Sequence, residues 1–186
     1  AVGREFHCRR WSLGTSRNYS VVTTRNPLEL LITASGKDKS ALTNEDFVAV
    51  DSTGQLLENQ QAEGRKSSAE TLLHCLIARL FPDVGAILHT HSVWATVLSR
   101  ESIKTEKNQG SIRIEGYEML KGLEGITTHD TVIDVPVFRN SQDMVELSHH
   151  IEEHFSHSAA VPSQAKHPHG FLLSGHGLYT WGRTLA

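Results

Sequence analysis

Short β-branched and aliphatic runs alternate with helix-period stretches along this chain, and the alternation predicts most of its elements. Ser20-Val-Val-Thr-Thr24 and Leu28 to Thr33 read as strands joined by the turn-prone Asn26-Pro27. Leu42 to Asp46 reads as a short capped turn, with Thr43 three residues before Asp46, and Phe47 to Val50 as the strand that follows. Ser67 to Leu80 carries the clearest helical stripe, Leu72, Leu73, Leu76, Ile77 and Leu80, with Pro82 beyond its end.

Val84 to Leu88 is a short apolar run leading into His89-Thr-His91, which predicts a buried strand, and Val93 to Leu98 predicts a helix after it. Ile112 to Ile114 reads as a strand and Tyr117 to Leu123 as a short helix. Thr131 to Phe138 reads as a strand and Ser141 to Phe155 as a helix with Asp143 in its first turn. Gly170 to Leu173 and Leu178 to Trp181 read as strands flanking the tight turn Ser174-Gly-His-Gly177. No repeat or linker interrupts the pattern, so residues 1–186 read as a single α/β domain on a mixed sheet. Gly182-Arg-Thr-Leu-Ala186 reads as the opening of a further helix, so the domain is expected to be truncated at its C-terminus.

Composition narrows the class. At 186 residues, with 38% hydrophobic and 21% charged residues, the chain can bury a core of ordinary size. No apolar run is long enough to span a bilayer, and the first residues, AVGREFHCRRW, lack a basic-then-apolar leader pattern. Two cysteines, Cys8 and Cys75, are too few for a disulfide framework and suit a reducing, cytoplasmic setting. A net charge of −3 without a dense basic stripe argues against a nucleic-acid partner.

Twelve histidines stand out, and their positions matter more than their number. On a strand, His89 and His91 project to one face with Cα atoms roughly 6.6 Å apart, close enough for both rings to reach one ion. His176, between Gly175 and Gly177, is the best distant third ligand, since the glycines allow a sharp turn and a close backbone approach. Three protein ligands leave a position open for water or substrate, as at catalytic zinc. Spacing alone does not decide the matter: H-x-H pairs occur without metal, and a histidine between glycines is often a turn residue.

The surrounding segments add to this reading. Gly85-Ala-Ile-Leu-His-Thr-His-Ser92 resembles the metal-binding strand of the class II aldolase/adducin family, and Gly175-His-Gly-Leu178 resembles the segment with its third histidine. The likeness runs from about Thr15 to Ala186. It implies a three-layer αβα fold with a central, mostly antiparallel sheet. It also implies one Zn2+ per subunit and a homotetramer with sites near subunit interfaces. Gly175 to Gly182, Glu118-Met-Leu-Lys-Gly122 and Asn140-Ser-Gln-Asp143 are most similar to the family's dehydratase branch. That branch implies dehydration of a small sugar phosphate, 5-methylthioribulose 1-phosphate, to 2,3-diketo-5-methylthiopentyl 1-phosphate in methionine salvage. The alternatives within the resemblance are a class II aldolase or epimerase for another sugar phosphate and, more remotely, a non-catalytic adducin-like binding module.

The resemblance also assigns site residues. Glu118 matches the dehydratase glutamate and is expected to be the main acid/base. Glu70 matches the acid/base of the aldolase branch, at the start of the Ser67–Leu80 helix, where a glutamate can equally serve the helix dipole. Asn18, Ser35, Gly36 and Ser68 are placed as phosphate contacts, where amides and hydroxyls supply donors without bulk. Lys37 or Lys39 could add charge. Thr15-Ser-Arg-Asn18 departs from the aldolase branch, where a small residue is usual at the Arg17 position.

His150-Ile-Glu-Glu-His154 also fits a metal motif, H-x-x-E-H of inverted zinc proteases. Such enzymes need a further downstream ligand, usually acidic, yet Phe155 to Ala186 holds no Asp or Glu. With His149, His157, His167 and His169 nearby, this region reads as polar surface.

Overall fold

A computed structural model describes residues 2–12, 15, 17–61, 64–103, 107–158 and 168–185; Ser16 and His167 lie outside the described residues. In chain order the elements are α1 (Val2–Cys8), β1 (Tyr19–Arg25), β2 (Leu28–Thr33), β3 (Phe47–Asp51), α2 (Glu58–Gln61) and α3 (Thr71–Leu80). Then come β4 (Ala86–Thr90), α4 (Val93–Ser102), β5 (Gln109–Glu115), β6 (Val132–Phe138), α5 (Met144–Ser158), β7 (Gly170–Leu173) and β8 (Gly177–Gly182). Short 3-10 turns at Asn44–Asp46 and Glu118–Gly122 complete the set.

The eight strands form one sheet in the order β3-β2-β1-β4-β8-β7-β6-β5. Only β6 and β7 pair in parallel; the other neighbours are antiparallel. Helices cover both faces. Phe6 of α1 packs on Tyr19, whereas His74 of α3 hydrogen-bonds Ser20. Consecutive strand residues point to opposite faces, so α1 and α3 lie on opposite sides of the sheet. The core is buried where α3 and α5 pack over the sheet: Leu73, Leu76 and Ile77 meet Leu147, Ile151 and Phe155 above Ile32, Val50, Phe171 and Tyr179.

Three departures from the sequence pattern have local causes. Helix α3 begins at Thr71, not Ser67. The Ser68 hydroxyl accepts the Glu70 N–H at 3.3 Å and the Ser68 carbonyl takes the Thr71 N–H, so a turn replaces the first helical turn. Helix α5 begins at Met144, because Asp143 caps it, its Oδ1 accepting the N–H groups of Val145 and Glu146 at 3.0 and 2.9 Å. Arg183 and Thr184 form a bend after β8 rather than the opening of a helix, with Arg183 paired to Glu124 at 2.7 Å. Helices α1 and α2 carry no apolar stripe that would predict them.

For function, the important pairing is β4 with β8. Thr90 sits opposite Leu178 and His89 opposite Tyr179, so in this antiparallel ladder the end of β4 lies beside the start of β8. On its other side β4 pairs with β1, and the His89 N–H donates to the Asn18 carbonyl at 2.9 Å. One end of the sheet therefore collects the H-x-H segment, the His176 turn and Asn18.

Candidate functional site

His89 is the penultimate residue of β4 and fully buried; His91 follows the strand's end, its N–H held by the Trp11 carbonyl at 3.0 Å. The two rings meet with Nε2 atoms 2.8 Å apart. His176 reaches them from the β7–β8 turn, its ring centroid 5.0 Å from that of His89 and 4.6 Å from that of His91. Glu70, at the α3 N-terminus, closes the group: its Oε1 lies 3.0 Å from His176 Nε2 and 3.6 Å from His89 Nε2. One ligand atom from each of Glu70, His89, His91 and His176 lies within 4.8 Å of the others.

The rings are oriented from behind. His89 Nδ1–H donates to the Leu178 carbonyl at 3.0 Å, which leaves its Nε2 lone pair facing the cluster. Tyr179 stacks on the same ring, centroids 4.0 Å apart and planes 19° from parallel. Burial pushes His89 well below the ordinary histidine range, against the opposing pull of Glu70. Burial, then the charges of His176 and Arg17, lower His91 to about 4. Both rings are thus neutral, the form that binds metals. Burial would raise the Glu70 carboxyl, but the hydrogen bond with His176 and the neighbouring imidazoles outweigh it and hold it at about 2. Imidazole nitrogens converge with an ionised carboxylate, and three nitrogens with one oxygen suit a divalent cation of borderline softness. The residues fit a metal.

Glycine is required beside His176. A Cβ on Gly177 would collide with the Thr90 carbonyl oxygen and stand 2.8 Å from His91 Cδ2 and 2.9 Å from His89 Cε1. Gly175 has φ +68°, the left-handed region that the turn needs.

Of the four phosphate candidates, Asn18 and Ser68 lie beside Glu70. Buried Asn18 donates through Nδ2 to Ser68 Oγ at 3.0 Å and to Glu70 Oε2 at 2.6 Å, tying this group to the histidines. The Ser35 N–H donates to the Lys66 carbonyl at 2.9 Å, which sets the exposed Ser35-Gly36 turn, φ +75° at Gly36, against the Ser68 segment. Lys37 is paired with Asp46 at 3.0 Å. Lys39 is buried and spends its ammonium on the carbonyls of Thr15 and Lys37 at 3.2 and 2.8 Å, so it braces the loop instead of facing solvent. Arg17, nearly buried, has φ +113°, an unusual backbone state for a side chain larger than glycine.

Glu118 lies outside the cluster in the single chain. Its side chain is 69% exposed and faces Lys121 and, at 3.2 Å, His129. His150 and His154 are also outside: His154 shares its Nδ1 with the Gln109 amide at 3.1 Å, and among the described residues only the Glu70–His176 set converges. The sequence reading passed over Tyr179, Ser99, Thr96 and the role of Asn140, whose Oδ1 accepts from His176 Nδ1–H at 3.3 Å. Asn140 and Tyr179 carried a signal, within Asn140-Ser-Gln-Asp143 and Gly175 to Gly182.

A profile of the Class II Aldolase and Adducin N-terminal domain matches residues 1–186. The chain belongs to that family. The methylthioribulose-1-phosphate dehydratase of Marinobacter nauticus is 43% identical over 187 residues, covering 100% of this chain and 81% of the relative. That of Serratia proteamaculans is 44% identical over 176 residues, covering 95% and 78%. Among solved structures, the l-fuculose-1-phosphate aldolase of Thermus thermophilus superposes with a TM-score of 0.66 at 24% identity, covering 100% of this chain and 77% of the other. The sugar-phosphate aldolase of Thermotoga maritima gives 0.58 at 16%, covering 98% and 82%. At these identities the superpositions establish the class II aldolase fold alone.

Proposed function

We propose that this chain is a zinc-dependent hydro-lyase that removes water from 5-methylthioribulose 1-phosphate, yielding 2,3-diketo-5-methylthiopentyl 1-phosphate in cytoplasmic methionine salvage. The observation that carries the reading is the convergence of Glu70, His89, His91 and His176 in a chain 42–44% identical to methylthioribulose-1-phosphate dehydratases. Cytoplasmic placement agrees with two free cysteines and with the lack, among the described residues, of any helix long and apolar enough to cross a membrane.

In this reading His89, His91 and His176 hold one zinc ion per subunit, with Glu70 balancing its charge. An ion held there would supply a Lewis acid next to the substrate's carbonyl, which would make the C3 hydrogen more acidic. Asn18, Ser35, Gly36 and Ser68 hold the phosphate and so fix which carbon faces the histidines. Glu118 removes the C3 proton, the C3–C4 double bond forms, and the C4 hydroxyl takes a proton from the same carboxyl as it leaves as water. The resulting C3 enol tautomerises to the second ketone.

Glu118 can act only if its loop reaches a histidine cluster, and in one chain it faces solvent. A neighbouring subunit supplies it in this proposal. Exposed Tyr117 and Met119 flank Glu118, and exposed Val93, Trp94, Val97 and Leu98 of α4 begin two residues beyond His91. Apolar surface on both sides suits a homotetramer with interfacial sites.

Glu70 within the cluster favours a second reading, an aldolase or epimerase for another sugar phosphate, since that glutamate matches the acid/base of the aldolase branch. Product analysis decides between them. Purified protein given methylthioribulose 1-phosphate should release water and form the diketone, with no cleavage of fuculose 1-phosphate or ribulose phosphates. Aldol cleavage of either competitor without dehydration would establish the second reading. Absence of both turnover and stoichiometric zinc would mark a binding module.

A further inference from the structure

Helix α4 connects two of the three histidines. It starts immediately after His91-Ser92, and its inward side holds the turn that carries His176. Two side chains of the helix do this, and a third acts from outside it. Ser99, fully buried, accepts the Gly175 N–H at 3.1 Å while its hydroxyl lies 2.9 Å from the Thr96 carbonyl and 3.4 Å from that of Leu173. The single Thr96 hydroxyl hydrogen is shared between the His176 carbonyl at 3.0 Å and the Ser92 carbonyl at 2.9 Å. From the β6–α5 connection, Asn140 Oδ1 accepts from His176 Nδ1–H at 3.3 Å.

Each contact removes a different freedom. The Gly175 N–H sits in a left-handed turn where no strand partner is available, so Ser99 satisfies a donor that would otherwise be orphaned and pins the turn to α4. Thr96 ties the backbone of His176 to the residue that follows His91, so the two ligands share one anchor. Asn140 governs the ring: by accepting from Nδ1–H it sets the ring plane and turns Nε2 toward Glu70 and the other imidazoles.

We propose that Ser99 and Asn140 are positioning residues for metal binding, Ser99 by fixing the His176 turn to α4 and Asn140 by holding the plane of the His176 ring so that Nε2 points at the cluster. This rests on the reading of His176 as a metal ligand. Neither residue touches the ion or the substrate. The pair matters because one ligand comes from β4 and the other from a turn, and a turn displaced by an ångström no longer completes the site.

The test measures zinc affinity by chelator competition for the full chain, with thermal stability of the metal-free proteins recorded in parallel. Asn140→Ala and Ser99→Ala should each weaken zinc binding by about 10- to 100-fold. Asn140→Ala should leave the metal-free melting temperature near that of the parent, because the Asn140 side chain is exposed. Asn140→Asp keeps an acceptor for Nδ1–H and should restore most of the affinity. Nitrogen NMR of the zinc-loaded protein should show a hydrogen-bonded, slowly exchanging Nδ1–H on His176 in the parent and in Asn140→Asp, and a rapidly exchanging one in Asn140→Ala. Full zinc affinity in both alanine variants, with His176→Ala defective, would overturn the positioning role alone. Full affinity in His176→Ala itself would overturn the ligand reading and this inference with it.

Discussion

The Nε2 of His176 stands 3.0 Å from Oε1 of Glu70, so the carboxylate that matches the aldolase branch's acid/base sits at a corner of the histidine cluster. Its other oxygen accepts from Asn18 at 2.6 Å. A carboxyl held near a pKa of about 2 by such partners is a weak base at neutral pH and a good anchor for charge.

Glu70→Gln should therefore lose metal affinity together with turnover. Glu118→Gln should retain zinc and substrate affinity while turnover falls by at least about 10²-fold, the lower range for general acid–base catalysis. Subunit mixing tests where Glu118 acts. Co-expressed Glu118→Gln and His176→Ala chains should regain activity if each site draws its glutamate from a neighbour. Inactive mixtures would place Glu118 in its own chain's site or outside catalysis, and a normally active Glu118→Gln beside a zinc-loaded, inactive Glu70→Gln would give the proton transfer to Glu70.

Metal analysis of purified variants checks the ligand set. His89→Ala and His176→Ala should abolish stoichiometric zinc, whereas His150→Ala and His154→Ala should keep it. Gly177→Ala should also lose zinc although no ligand is removed, because the new Cβ would stand 2.8 Å from His91 Cδ2 and 2.9 Å from His89 Cε1. Zinc lost only from the α5 variants would move the metal to that helix.

Phosphate recognition should appear in the kinetic split. Ser68→Ala removes a hydroxyl bonded to Asn18 and should raise KM more than it lowers kcat, as lost ground-state binding does. A substrate without its phosphate should be turned over poorly. Equal turnover of the dephosphorylated sugar would remove Asn18, Ser35, Gly36 and Ser68 from the phosphate role.

Buried His74 gives the fold a pH dependence separate from the metal. Burial lowers it from 6.5 to about 4, with Glu70 opposing, and its Nδ1 is bonded to Ser20 at 2.7 Å. Between these values the unfolded chain binds a proton that the folded chain does not, so stability falls as pH drops from about 6.5 to 4. The loss is up to about 3 kcal/mol for a shift of that size. Urea unfolding of metal-free protein should show this slope, and His74→Gln should flatten it by a comparable amount. Parallel profiles for the two proteins would show that His74 does not contribute.

The elements with strong local signals were legible in the chain itself. Alternation and β-branching located β1, β2 and β6, the glycine-bounded turn at Ser174–Gly177 located β7 as its flank, and the Leu72–Leu80 stripe located α3. H-x-H together with Gly-His-Gly was enough to nominate three ligands, because strand periodicity and glycine freedom are local properties. Helix starts were misplaced where a side chain competed with the backbone, at Ser68 and Asp143. Only the tertiary structure could bring Glu70 to the histidines, expose Glu118, bury Lys39 against two carbonyls and set Ser99 under the His176 turn. These placements depend on β4 pairing with β8 and on α3 and α4 packing near the end of that ladder. Contacts between residues as distant in sequence as Glu70 and His176 follow from strand order and helix packing, which no local pattern encodes.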